Sequence, residues 1–79
     1  MDNLEKYNKV FESIFNIDSK ELDEEFAYGN IKIWDSVTHL SLVNALEEEF
    51  DILFDSSDIL EFHSYEKGKL IMAKYDVNI

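Results

Sequence analysis

The residues with chemistry to offer are Asp35-Ser36-Val37, which stand at the mouth of a helical pattern running to Asn44-Ala45-Leu46-Glu47-Glu48-Glu49-Phe50-Asp51. A serine hydroxyl at a helix N-terminus suits a covalently held phosphate, because free backbone N–H groups and the helix dipole both favour an anion there. The dipeptide has an ordinary role as well. Asp and Ser ahead of an apolar helix are caps, and either Asp35 or Ser36 can accept a hydrogen bond from the first turn. Val37 falls on the outer face of the same helix, as an exposed apolar residue beside the serine. Single exposed apolar residues are common; the alternative use is a contact point for partner enzymes.

Other constellations fail on spacing or composition. His39 and His63 have no cysteine and no close companion histidine, so a surface His39 and a loop His63 are expected and no metal site is assigned. Asp51, Asp55 and Asp58 suggest a calcium loop until the register is checked. Leu53 then falls where an oxygen ligand is needed, Ser56 replaces the turn glycine and Phe62 replaces the final glutamate. There is no glycine-rich phosphate loop and no Ser-His-Asp set that clearly converges. A domain this small has little room for a substrate cleft, and an autonomous enzyme is not expected.

Size and charge bound the elements that must position Ser36. Seventy-nine residues make one domain, 1–79, with one modest core. Such a core leaves a surplus of only about 3–5 kcal/mol. The chain carries 18 acidic residues against 7 basic ones, a formal net charge of −11. Nucleic acid is a poor partner for that surface, since phosphate binding needs clustered cations. Basic protein surfaces are the natural counterpart, with long-range attraction speeding encounter. With no cysteine there is neither a disulfide nor a thiolate. No apolar run reaches membrane-spanning length, and the N-terminus lacks a basic region followed by an apolar one. A cytoplasmic monomer without membrane insertion is expected.

The fold class expected is all-α: a small four-helix bundle, three main helices plus a short third one, with a long loop between the first and second. The absence of proline and the presence of only two glycines favour helices. Leu4, Tyr7, Val10, Phe11, Ile14 and Phe15 share one arc of roughly 140°, which predicts a helix near 3–15 capped by Asp2 or Asn3. Residues 16–34 have no sustained period. The acidic run Glu21 to Glu25 could hold a helical turn, and Ile31, Ile33 and Trp34 are expected to pin the loop to the core. The second helix is placed near 36–50, with Leu40, Leu42, Val43, Leu46 and Phe50 in an inward arc of about 160°. Val37, Ser41, Asn44, Ala45 and Glu48 form its opposite face. Ile52-Leu53-Phe54 is an apolar connector, Ser56 or Ser57 caps the short helix with Ile59, Leu60 and Phe62, and Ser64 caps the last. Gly68, early in that last helix, costs about 1 kcal/mol relative to alanine.

From Ile33-Trp34-Asp35-Ser36-Val37 through Leu42-Val43 to Ala45-Leu46-Glu47-Glu48-Glu49-Phe50-Asp51, the chain closely resembles the second helix of acyl carrier proteins. Their hallmark is Asp-Ser-Leu, with Val37 here in place of the leucine. Asp58-Ile59-Leu60-Glu61-Phe62, then Ser64 and a helix ending Ala73-Lys74-Tyr75, resemble the later helices. The resemblance spans the chain. It is most specific from Trp34 to Asp51 and weakest from Asp18 to Asn30.

The resemblance implies that Ser36 carries 4′-phosphopantetheine from coenzyme A, attached by a separate phosphopantetheinyl transferase with Mg²⁺. Asp35 then supports that attachment. Acyl intermediates would ride on the arm as thioesters, between acyl-activating and acyl-transfer enzymes with basic docking surfaces. A run such as Glu47-Glu48-Glu49 is usually a solvated face; Glu47 and Glu48 also match acidic family positions that meet partners, with Val37 and Ser41 beside them. Fatty-acid carriers often have acidic residues where Thr38 and Ser41 stand here, an apolar one at Asn44 and a small one at Trp34. Those departures point to a stand-alone carrier of a dedicated pathway. The alternatives are an aminoacyl carrier, D-alanyl or peptidyl, and an unmodified acidic helical adaptor.

Overall fold

Four α-helices and one short 3₁₀ turn make up the computed structural model, which describes residues 2–79. In chain order, α1 is Asn3–Phe15, α2 Ser36–Phe50, α3 Ser56–Glu61 and α4 Tyr65–Ala73. The described residues contain no strand, only two isolated bridges. The radius of gyration is 11.3 Å, against about 11.6 Å for a compact chain of this length.

Each long helix has a local reason to start and stop. Asp2 opens α1, its carboxylate accepting from Glu5 N at 2.8 Å. Asp35 does the same for α2 through Thr38 N at 2.8 Å, and Ser64 for α4 through Lys67 N at 2.9 Å. α1 and α2 end alike, on Asn16 and Asp51, each with φ of 55°. Asn and Asp tolerate that left-handed turn, and each turns its N–H back onto a helical carbonyl.

The core is aromatic. Phe11 is fully buried, and the rings of Tyr7, Phe15, Phe26, Trp34, Phe62 and Tyr65 surround it at centroid distances of 4.9 to 6.5 Å. These rings come from α1, the long connection and the α3–α4 junction, so the connection is part of the core. Its backbone is tied to the junction as well: Tyr28 N donates to His63 O at 2.7 Å and Tyr65 N to Phe26 O at 2.8 Å.

Several expectations need correction. The helical turn in the connection is Ser19–Glu21, capped by Asp18, rather than within Glu21 to Glu25. Trp34 is a buried anchor and Ile31 packs partly buried against the core, as expected, but Ile33 is exposed and Phe26 is the other buried anchor. Leu40 is 57 % exposed and faces out, since the inward face of α2 is filled by Leu42, Val43 and Leu46. Neither Ser56 nor Ser57 caps α3; Asp55 holds the cap position and makes no side-chain cap bond. Phe62 is buried just beyond α3.

Gly68 sits where backbone and aromatic rings meet. A Cβ there would lie 2.7 Å from Phe62 Cε1, and closer still to Phe62 Cζ and Tyr7 Oη. Its absence lets α4 pack onto those two fully buried rings, and the freed Tyr7 hydroxyl donates to Tyr65 O at 2.7 Å.

α3 is held by a buried charge. Asp58, 2 % exposed, accepts from Lys74 Nζ and Tyr75 Oη, both at 2.6 Å. The Lys74 bond, then the Tyr75 bond, hold its carboxyl below the usual carboxylate range. Among the described residues no buried side-chain nitrogen or oxygen lacks a partner.

Candidate functional site

Asp35 and Ser36 divide the work at the start of α2. The Asp35 carboxylate caps the helix through the Thr38 N–H. That bond first, and the Thr38 hydroxyl second, hold its carboxyl below the usual range. Ser36 is the first helical residue; it is exposed, and its hydroxyl makes no hydrogen bond to the described residues. A free Oγ therefore stands at the positive end of a 15-residue helix.

Ser36 opens onto an apolar groove of about 390 Å³ between α2, α3 and the long connection, lined by Tyr28, Ser36, His39, Leu40, Ile59, Leu60, Phe62 and His63. Tyr28 and Leu60 stand at its rim, Leu60 at 82 % exposure. The outward turn of Leu40 is thereby explained, because it furnishes groove wall beside Ser36.

His39 is not the surface histidine expected. It is half-buried, its ring stacks on Trp34 with centroids 6.1 Å apart, and both nitrogens are engaged. Trp34 Nε1 donates to Nδ1 at 3.0 Å, and Nε2 lies 2.7 Å from Ile59 O. One signal could have shown this in the sequence: a buried indole N–H requires an acceptor, and His39 lies one turn into the helix that follows Trp34. His63 lies in the loop between α3 and α4, as expected, and is exposed.

The acidic positions separate. Val37, at 74 % exposure, forms an exposed stripe along α2 with Leu40, Ser41, Asn44 and Glu48. Glu48 lies about 18 Å along the axis from Ser36, at a rise of 1.5 Å per residue. Glu47 turns inward, and its carboxylate accepts from Phe54 N at 3.0 Å, fixing the connector after α2. It lines, with Glu48, Asn44, Asp51, Ile52 and Leu53, a cleft of about 620 Å³ whose only charged side chains are carboxylates.

Chemically, the site offers a hydroxyl without a base. Asp35 is committed to capping and His39 to Trp34 and Ile59, so among the described residues nothing bonded to Ser36 Oγ can take its proton. Ser36 can be modified by an enzyme that brings its own base. No cluster of three metal-ligating side chains occurs among the described residues, and no helix there is long and apolar enough to cross a membrane. Comparison with protein-family models, with curated proteins and with solved structures finds no match.

Proposed function

We propose that this chain is a single-domain acyl carrier, a small four-helix bundle on which 4′-phosphopantetheine attached at Ser36 carries acyl intermediates between cytoplasmic enzymes. One observation carries the reading. Asp35 caps α2, and the Ser36 hydroxyl is left exposed and, among the described residues, unpartnered at the helix N-terminus and at the mouth of an apolar groove. The resemblance in the stretch from Trp34 to Asp51 gives that hydroxyl its occupant.

The rest of the chain suits the role. It has no cysteine of its own, and the attached arm supplies the thiol that forms the thioester. Free N–H groups at the start of α2 favour the phosphodiester anion beside Ser36. Val37, Ser41 and Glu48 then offer partner enzymes a mixed apolar and acidic stripe, which a basic docking surface complements. Glu47 serves that surface by fixing the connector that flanks it.

The packed aromatic interior favours a second version of the cargo. Rings surround Phe11 from several sides, which leaves a long alkyl chain without a ready berth between the helices. An aminoacyl cargo, D-alanyl or peptidyl, needs no such berth.

The test is labelling with a fluorescent coenzyme A analogue, Mg²⁺ and a broad-specificity phosphopantetheinyl transferase. The wild type should take one label and Ser36→Ala none. A folded wild type that stays unlabelled beside a labelled control carrier would favour an unmodified acidic adaptor.

A further inference from the structure

One imidazole ties together the three segments that surround Ser36. Trp34, two residues before the serine, donates its indole N–H to His39 Nδ1 at 3.0 Å. An indole nitrogen is a donor only, so Nδ1 must be the bare nitrogen and the proton must sit on Nε2. Nε2–H then donates to Ile59 O at 2.7 Å. A carbonyl can only accept, so the two bonds together admit a single neutral tautomer.

The Ile59 end of this bridge has a particular need for it. α3 has six residues and no side-chain cap at its start. The last four carbonyls of any α-helix lack an intrahelical partner, and Ile59 O is among them. Asp58 ties α3 to Lys74 and Tyr75, beyond the end of α4. On the α2 side the polar tether is His39. Ile59 and Leu60 are the α3 wall of the groove that opens at Ser36.

We propose that His39 is a positioning residue for the Ser36 site: as its Nε2–H tautomer it staples α3 to α2 and to the Trp34 loop, and so fixes the groove beside the serine. The staple is a property of the folded chain whatever Ser36 carries. Its service to a modified Ser36 rests on the carrier reading above.

Three readouts on the full chain test it. In long-range ¹H–¹⁵N spectra of the unmodified protein at neutral pH, His39 Nδ1 should show the shift of an unprotonated ring nitrogen and Nε2 that of a protonated one. The opposite tautomer, or a fast average of the two, overturns the staple without any mutation. In His39→Leu, which keeps apolar bulk and loses both bonds, the α3 amides of Ile59 to Glu61 should exchange about tenfold faster while α1 amides hold their rates. His39→Gln, whose amide N–H can still reach Ile59 O, should restore part of that protection. Unchanged α3 exchange in a folded Leu variant overturns the proposal.

The third readout is the rate at which a purified transferase modifies Ser36. His39→Leu should raise KM several-fold and leave kcat near wild type, because the hydroxyl is unchanged and only its surroundings loosen. An unchanged KM in a folded Leu variant removes His39 from the site's function. A wild type that takes no group overturns the carrier reading, and His39's service to it, while the tautomer and exchange results still decide the staple.

Discussion

Replacing Gly68 by alanine should destabilise this protein, although helix propensity alone predicts the reverse. In an exposed helix interior the change gains about 1 kcal/mol. At this position the new Cβ would lie 2.7 Å from Phe62 Cε1 and nearer to Tyr7 Oη, where ordinary Cβ contacts almost never fall below 3.0 Å. Both rings are fully buried, so neither can swing into solvent. Forcing a methyl group into such packing costs about 1–3 kcal/mol. Displacing the Tyr7 hydroxyl from Tyr65 O removes a further interaction of about 1 kcal/mol. Set against the propensity gain, the net loss is about 1–3 kcal/mol. A domain of this size loses about 4–8 °C of Tm per kcal/mol. Thermal unfolding followed by circular dichroism should therefore show Gly68→Ala melting at least about 4 °C below wild type. In a Tyr7→Phe background the alanine should cost less, since the nearest obstructing atom is gone, with a coupling of about 1 kcal/mol. An equal or higher Tm for Gly68→Ala, or strict additivity of the two changes, would refute the argument from close approach.

The remaining predictions concern caps, pH and cargo. Because Asp35 rather than Ser36 caps α2, Ser36→Ala should melt within about 2 °C of wild type, as surface changes away from such features do. Asp35→Ala should melt measurably lower, and a larger loss for Ser36→Ala would reverse the assignment. The carboxyls of Asp35 and Asp58 are held below their unfolded values. The unfolded chain therefore binds protons first as pH falls. The stability they contribute is present above the ordinary carboxylate pKa of 3.8 and is lost as pH drops through their depressed values. Tm against pH should fall on the acid side, with a shallower slope in Asp58→Asn; an unchanged slope would contradict this. In alkali the sign is opposite. Lys74 and the hydroxyls of Tyr7, Tyr65 and Tyr75 are raised in the fold, Lys74 by its bond to Asp58 and the tyrosines first by burial. Stability from them is present below their unfolded pKa values and lost as pH rises through the raised ones. Finally, loading a long acyl thioester on the Ser36 arm should leave the amide shifts of Phe11, Phe15 and Phe62 near those of the free thiol form. Large shifts there would show that the aromatic core opens to admit the chain.

What the sequence disclosed depended on the physics behind each signal. The spans of α1 and α2 followed from apolar periodicity and from capping residues, both local in the chain. Asp35-Ser36 stood out as a candidate because residue type and helix position coincide there. Leu40 was misplaced because an arc on a helical wheel assumes one flat core, whereas this helix also borders a groove. The clamps on α3 were hidden for a different reason. Asp58 finds Lys74 and Tyr75 sixteen and seventeen residues away, and His39 finds Ile59 twenty residues away. No periodicity encodes such pairs. Gly68 read as a helix weakness until Phe62 and Tyr7 were placed against it.

Intact-protein mass spectrometry decides whether Ser36 carries a phosphopantetheine arm. Wild type and Ser36→Ala are each incubated with coenzyme A, Mg²⁺ and a broad-specificity transferase beside a control carrier. Wild type should gain one phosphopantetheinyl group and Ser36→Ala none, with both equally folded. Modification of Ser36→Ala, or a folded wild type that gains nothing while the control is converted, would contradict the carrier reading.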